Sequence, residues 1–206
     1  MKVKICGITN IEDALAAIEF GADALGFNFY PKSSRYLSPE KALRMMEDIP
    51  PSVWRVGVFV NEPEQWVRDL SQSLYLDFLQ FHGDETPEYC EQFATPYWKA
   101  FRLKDEKSLE EMGTYHPDYF LIDAHVESIG EVLYGGTGVT GDWDLARESR
   151  KHGKVFLSGG LTPDNVETAI QTVQPDGVDV ASGVESEPGK KDWKKMESFI
   201  SKAKGI

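Results

Sequence analysis

The sequence predicts a single-domain (β/α)₈ barrel, and three observations carry that expectation. Short β-rich runs alternate with amphipathic segments from one end of the 206-residue chain to the other, the mark of βα units on a parallel sheet. Eight such units can be counted, and the residues that end the strand runs are unusually polar. Eight units in 206 residues leave about 26 per unit, below the ~31 typical of this barrel, so the connections must be short. An open doubly wound sheet is the other arrangement of the same units.

Strand runs are expected at Lys2 to Cys6, Ala24 to Phe27, Trp54 to Phe59 and Phe78 to Phe81 in the first half. In the second half they fall at Tyr97 to Ala100, Tyr119 to Ile122, Val155 to Leu157 and Gly177 to Ala181. Helices follow, with start signals at Asn10, at Ser38-Pro39-Glu40 and at Thr162-Pro163-Asp164, read as N-caps with Pro at the first helical position. The tail KKDWKKMESFISKAK reads as an amphipathic last helix. No Pro/Gly/Ser-rich linker or low-complexity tract divides the chain, and no fixed sequence period is visible.

Composition narrows the classes. At 41% hydrophobic and 27% charged the chain falls among ordinary globular domains. A net charge of −12 disfavours nucleic acid and anionic membranes, which bind through clustered Lys and Arg. MKVKICGITN has no apolar leader core, and no stretch approaches the roughly 18 apolar residues of a membrane span, so a soluble cytosolic protein is expected. Cys6 and Cys90 lack CxxC spacing, which argues for reduced thiols and against a zinc site or disulfide framework.

In a barrel of this type the chemistry sits at the C-terminal ends of the strands. Lys2, Lys4 and Cys6 share one strand face and Val3 and Ile5 the other. The apolar pair should face the helices, which points Cys6 into the barrel mouth with Lys4 one layer below, where an ammonium would favour the thiolate. A buried inert thiol is the plain alternative. Asp123 closes the run FLI and either caps the next loop or serves as an acid.

The loops SGGLTPDNV and ASGVE, after strands seven and eight, carry Gly159, Gly160, Ser182 and Gly183 and suit phosphate, although tight turns alone would also use glycine. Gly136 to Gly141 satisfies GxGxxG, but it follows no clear strand and the next strand ends without an acidic residue. A lid over the site is the better reading there. Arg35 could fork onto a substrate carboxylate or simply be a solvated surface residue, and His82 could be structural or functional.

Taken together, KICGIT, GADALGFNFYPKSSRYLSPE, VGVFVN, LQFHGDE, FLIDA, GGTG with DW, LSGGLTPDNV and GVDVASGVE with GKKD resemble the phosphoribosylanthranilate isomerase family over the whole chain, in order. That resemblance implies an Amadori rearrangement in tryptophan biosynthesis without metal or organic cofactor, acting on a phosphorylated aminosugar. It implies Asp123 as general acid and Cys6 as general base, Arg35 on the anthranilate carboxylate, and Asp179 and His82 at the sugar. It also implies phosphate on the loops of Gly159-Gly160 and Ser182-Gly183, and a monomer or homodimer.

The pattern departs at Gly141, where a Phe usually precedes DW, at Ser158 for Ala and at Phe81 for Leu. Two other readings compete: a related bisphosphate isomerase, which would need two phosphate cradles and an Asp in place of Cys6, and a silent barrel that only binds a phosphorylated ligand.

Overall fold

In the computed structural model, which describes residues 1–123 and 143–206, eight parallel strands close into one barrel in sequence order. The strands are β1 (Lys2–Cys6), β2 (Ala24–Asn28), β3 (Trp54–Phe59), β4 (Phe78–Phe81), β5 (Tyr97–Arg102), β6 (Tyr119–Asp123), β7 (Val155–Ser158) and β8 (Gly177–Val180). The predicted strand starts all hold. β2, β5, β6 and β7 run one or two residues further, which carries Asn28, Arg102, Asp123 and Ser158 onto the strand ends, and β8 stops one residue short. The closed pairing of β8 with β1 excludes the open sheet.

Around the barrel lie α1 (Ile11–Glu19), α2 (Pro39–Met46), α3 (Glu64–Ser73), α4 (Pro87–Glu91), α5 (Glu106–Met112), α6 (Trp143–Ser149), α7 (Val166–Val173) and α8 (Trp193–Lys204). Asn10 accepts the Asp13 amide and Ser38 that of Lys41, with Pro39 opening α2, as the cap signals predict. The third signal misleads. α7 starts at Val166, because Asn165 Oδ1 accepts the Thr162 amide at 2.8 Å and ties Thr162 to Asn165 into a turn ahead of the helix. A short antiparallel pair, β9 (Glu185–Glu187) and β10 (Lys190–Lys191), stands between β8 and α8, so Lys190 and Lys191, expected as the start of the last helix, are strand instead, and α8 opens at Trp193 behind the Asp192 cap. The expected lid at Gly136 to Gly141 lies outside the described residues.

Two apolar layers hold the fold. Val3, Ile5, Leu25, Phe27, Leu79, Ile122, Leu157 and Val178 point outward and pack beneath the helices. Inside the barrel, the lower half is filled by Ala24, Val56, Trp98, Leu121 and Phe156, with Trp54, Phe78 and Tyr119 against them. The Trp98 and Phe156 ring centroids are 4.4 Å apart and those of Trp98 and Tyr119 5.2 Å, so this half is an aromatic plug with no space for ligand.

At the closed face an aspartate precedes each even strand. Asp23, Asp77, Asp118 and Asp176 each accept, on one carboxylate oxygen, the amide of a residue near the start of the preceding odd strand: Val3, Arg55, Tyr97 and Val155. Each aspartate amide donates back to the carbonyl of the same partner. These four reciprocal clamps satisfy strand-end amides that the staggered ladder leaves open.

Candidate active site

The open end of the barrel encloses a cavity of about 440 Å³, lined by the ends of the strands and the loops that follow them. Cys6, Arg35, His82, Asp123, Asp179, Gly159, Gly160, Ser182 and Gly183, the residues singled out from the sequence, all line it. Asn28, one of the polar strand-end residues, lines it too, as does Gln80, which was not foreseen. A more open groove of about 680 Å³ runs along the outside between Thr9, Tyr36 and Trp193 and holds none of these groups.

Cys6 and Lys4 share the inner face of β1. Both crowd the gap at Gly26 on the neighbouring strand, where an added Cβ would lie 2.7 Å from the sulfur and 2.9 Å from Lys4 Nζ. Lys4 is wholly buried, and its Nζ donates to Asp179 Oδ1 at 2.7 Å. Burial alone would lower the Lys4 pKa, but attraction to Asp179 and Cys6 outweighs it and holds the ammonium above its ordinary value.

The Lys4 ammonium pulls the Cys6 thiol down, as foreseen, and Lys191 adds to that pull, but burial first and the Asp179 carboxylate after it push the thiol up, and the net shift is upward. The cation is present, yet it is shared with Asp179.

Across the mouth, Asp123 ends β6 with its side chain nearly buried and its Oδ2 3.6 Å from His82 Nε2. Gln80, on β4, donates from Nε2 to His82 Nδ1 at 3.0 Å. An Nδ1 that accepts leaves the imidazole proton on Nε2, facing Asp123. Ser158 donates its hydroxyl to Ile122 O at 3.2 Å and so fits without disturbing β6. Phe81 points outward, where it stacks among Phe59, Tyr89, Phe93 and Tyr97, so the extra ring fills an aromatic cluster away from the cavity.

The two Gly-rich loops meet. Gly159 and Gly160 follow β7 with φ of 83° and 68°, which only glycine adopts without strain, and turn successive backbone groups around the cavity rim. Ser182–Val184 form a 3₁₀ turn after β8. A Cβ at Gly183 would stand 1.8 Å from the Leu161 carbonyl oxygen, so the two loops can touch only with glycine there. The two loops thus share one stretch of the cavity rim.

Arg35 reaches the cavity from the loop after β2, but one edge of its guanidinium is taken. Its Nε and Nη2 donate to Glu185 at 2.8 and 2.7 Å. Glu185 also receives Lys191 Nζ at 3.0 Å, and all three side chains are largely or fully buried. Glu185 and Lys191 were missed because one was read within the loop ASGVE and the other within the last helix, and only the β9–β10 pairing sets them against each other.

The arrangement has a thiol and a carboxylate in one cavity, an arginine at its side and two abutting Gly-rich loops at its rim. The family model described as N-(5'phosphoribosyl)anthranilate (PRA) isomerase matches residues 3–202. The chain belongs to that family. N-(5'-phosphoribosyl)anthranilate isomerase of Geobacter sulfurreducens is 47% identical over 205 residues, covering 100% of this chain and 99% of that one. The crystal structure of phosphoribosyl anthranilate isomerase from Thermotoga maritima superposes with a TM-score of 0.92 at 44% identity, with both chains fully covered. A crystal structure of the isomerase in complex with reduced 1-(o-carboxyphenylamino)-1-deoxyribulose 5-phosphate, also 44% identical and fully covered on both sides, gives 0.89.

Proposed function

We propose that this chain converts N-(5'-phosphoribosyl)anthranilate to 1-(2-carboxyphenylamino)-1-deoxyribulose 5-phosphate, as in tryptophan biosynthesis, with Asp123 as general acid and Cys6 as general base. The observation that carries the reading is the enclosure of both groups in one cavity that also has a cationic side and a Gly-rich rim. Asp123, carrying its proton, delivers it to the furanose ring oxygen. The C1′–O bond breaks as the anilino nitrogen lone pair forms the C1′=N Schiff base. Cys6, once it has released its own proton to solvent, takes the C2′ proton as thiolate, and that electron pair makes the C1′=C2′ bond of an enolamine while the iminium pair returns to nitrogen. Proton transfer to C1′, with loss of the C2′ hydroxyl proton, yields the ketose.

Each step moves one proton between positioned groups, which contributes roughly 10²- to 10⁴-fold per group. Lys4 and Lys191 lie where the sulfur's negative charge develops. The Nε2–H of His82 faces the Asp123 carboxyl and the sugar hydroxyls beside it. Arg35 takes the anthranilate carboxylate, Asp179 the sugar, and the loops of Gly159-Gly160 and Ser182-Gly183 the 5′-phosphate through their amides.

Two free cysteines suit a reducing cytosol, where we place the enzyme. Among the described residues no helix is long and apolar enough to cross a membrane. The test is loss of substrate fluorescence with wild type, Cys6→Ser and Asp123→Asn. Turnover by wild type with both variants folded and at least about a hundredfold slower is expected; a folded, inactive wild type overturns the reading.

A further inference from the structure

We propose that the buried Glu185–Lys191 pair is a positioning unit for this reaction, turning one edge of Arg35 toward the substrate carboxylate and fixing Cys6 at the end of its strand. The proposal rests on the roles given to Arg35 and Cys6 above.

The pair sits on cross-strand partners of the β9–β10 hairpin, whose register sets Lys191 opposite Glu185. Glu185 takes Nε–H and one Nη2–H of Arg35, a side-on fork at 2.8 and 2.7 Å. A guanidinium held by that edge presents its other edge, Nη1 with the remaining Nη2–H, as a second fork of the same geometry, and Arg35 lines the cavity.

Lys191 acts on the other side. Its ammonium has no solvent exposure, and its three protons go to Cys6 O at 2.6 Å, Ala181 O at 3.2 Å and Glu185 Oε1 at 3.0 Å. The β1–β8 ladder ends at Ile5 opposite Val180. Cys6 and Ala181 are the next residues on each strand, and the Lys191 ammonium bridges their carbonyls where the ladder has stopped. Cys6, already paired with Gly26 of β2, thereby gains a tie on the β8 side of its strand as well.

A hydrophobic pair would join the hairpin without the desolvation cost of two buried ions. The charges are instead aimed at the two substrate-handling residues, and with Arg35 they sum to one positive charge beside the place of one substrate carboxylate. Electrostatics and geometry therefore serve the same contact.

The experiment is steady-state kinetics on full-length wild type, Glu185→Gln, Lys191→Met and the double variant, with thermal melts on each. Glu185→Gln is expected to raise KM about tenfold with kcat within about threefold, because a neutral amide no longer holds the fork. Lys191→Met is expected to lower kcat about tenfold with KM within about threefold, because Cys6 loses its anchor. If a single variant fails to fold, the double variant, which removes both charges, carries the test and is expected to shift both constants. A wild type without turnover overturns the functional reading and this proposal together. An active wild type whose folded variants keep both constants, or lose activity without the split, overturns the positioning unit alone.

Discussion

Lys4 Nζ lies 2.7 Å from Asp179 Oδ1, inside the barrel and beneath the mouth that Cys6 faces. One carboxylate thus decides what an ammonium does for a neighbouring thiol. Asp179→Asn removes the group that both claims Lys4 and pushes the sulfur's pKa up, so the thiol pKa must fall. A drop of one unit means about tenfold more thiolate at neutral pH. Alkylation of Cys6 by iodoacetamide, followed against pH, is expected to speed up by about that factor, and an unchanged rate would count against the linkage. The same variant leaves a buried ammonium unpaired and is expected to lose about 3 to 5 kcal/mol of stability.

Gln80 sets the His82 tautomer through its donor bond to Nδ1. Nitrogen NMR of the wild type is expected to show Nε2 protonated and Nδ1 bare. Gln80→Leu removes the donor and is expected to give a mixture of tautomers with kcat reduced about tenfold. A pure Nε2–H form in the variant would show that some other group makes the choice.

Gly183→Ala drives a methyl group into the Leu161 carbonyl, since the space at that point is 1.8 Å. The loops must part, and the proposed phosphate site opens with them. Inhibition by inorganic phosphate is expected to weaken at least about tenfold, with about 1 to 3 kcal/mol of stability lost to the forced backbone shift. Unaltered phosphate inhibition would remove the contact between the loops from the account.

Stability has an alkaline flank. Cys90 has no exposed surface, and burial pushes its thiol from 9.0 up to about 12. A raised folded pKa contributes stability that is fully present below 9.0 and is lost as pH rises toward 12. Each such group gives a slope of about 1.4 kcal/mol per pH unit inside its window. Urea unfolding of Cys90→Ala through that window is expected to show a shallower fall than wild type, with the remaining slope carried by groups such as Tyr97 and Tyr115, also pushed up to about 12. Parallel curves would contradict the assignment.

The barrel was legible because its signals are local. Apolar runs marked the strand starts, and the polar residues that close them, Cys6, His82 and Asp123, fell on the strand ends or, for His82, one residue past. What the sequence concealed depends on partners distant along the chain. Nothing local distinguishes Asp179, which neutralises Lys4 from 175 residues away, from a solvated aspartate. Glu185 and Lys191 look like surface charge until β9 and β10 bury them. The Gln80 amide gains its meaning only from the imidazole two positions on. The four clamp aspartates recur once in every second βα unit, yet unequal spacings between Asp23, Asp77, Asp118 and Asp176 hide the repetition from any fixed-period search.

Those clamps divide the molecule in a way the continuous barrel does not suggest. Each ties an odd strand to the even strand after it, and none ties an even strand to the next odd one. Backbone bonds such as Trp54 N to Asp23 O and Phe120 N to Lys154 O join the even strands to the next odd ones, so the pairing in twos belongs to the carboxylate clamps alone. A backbone nick between Met46 and Trp54 leaves every carboxylate clamp within one fragment, whereas one between Phe59 and Phe78 puts Arg55 and Asp77 of one clamp on different fragments. Split-chain complementation should accordingly succeed at the first position and falter at the second, and new termini introduced by circular permutation should be tolerated by the same rule.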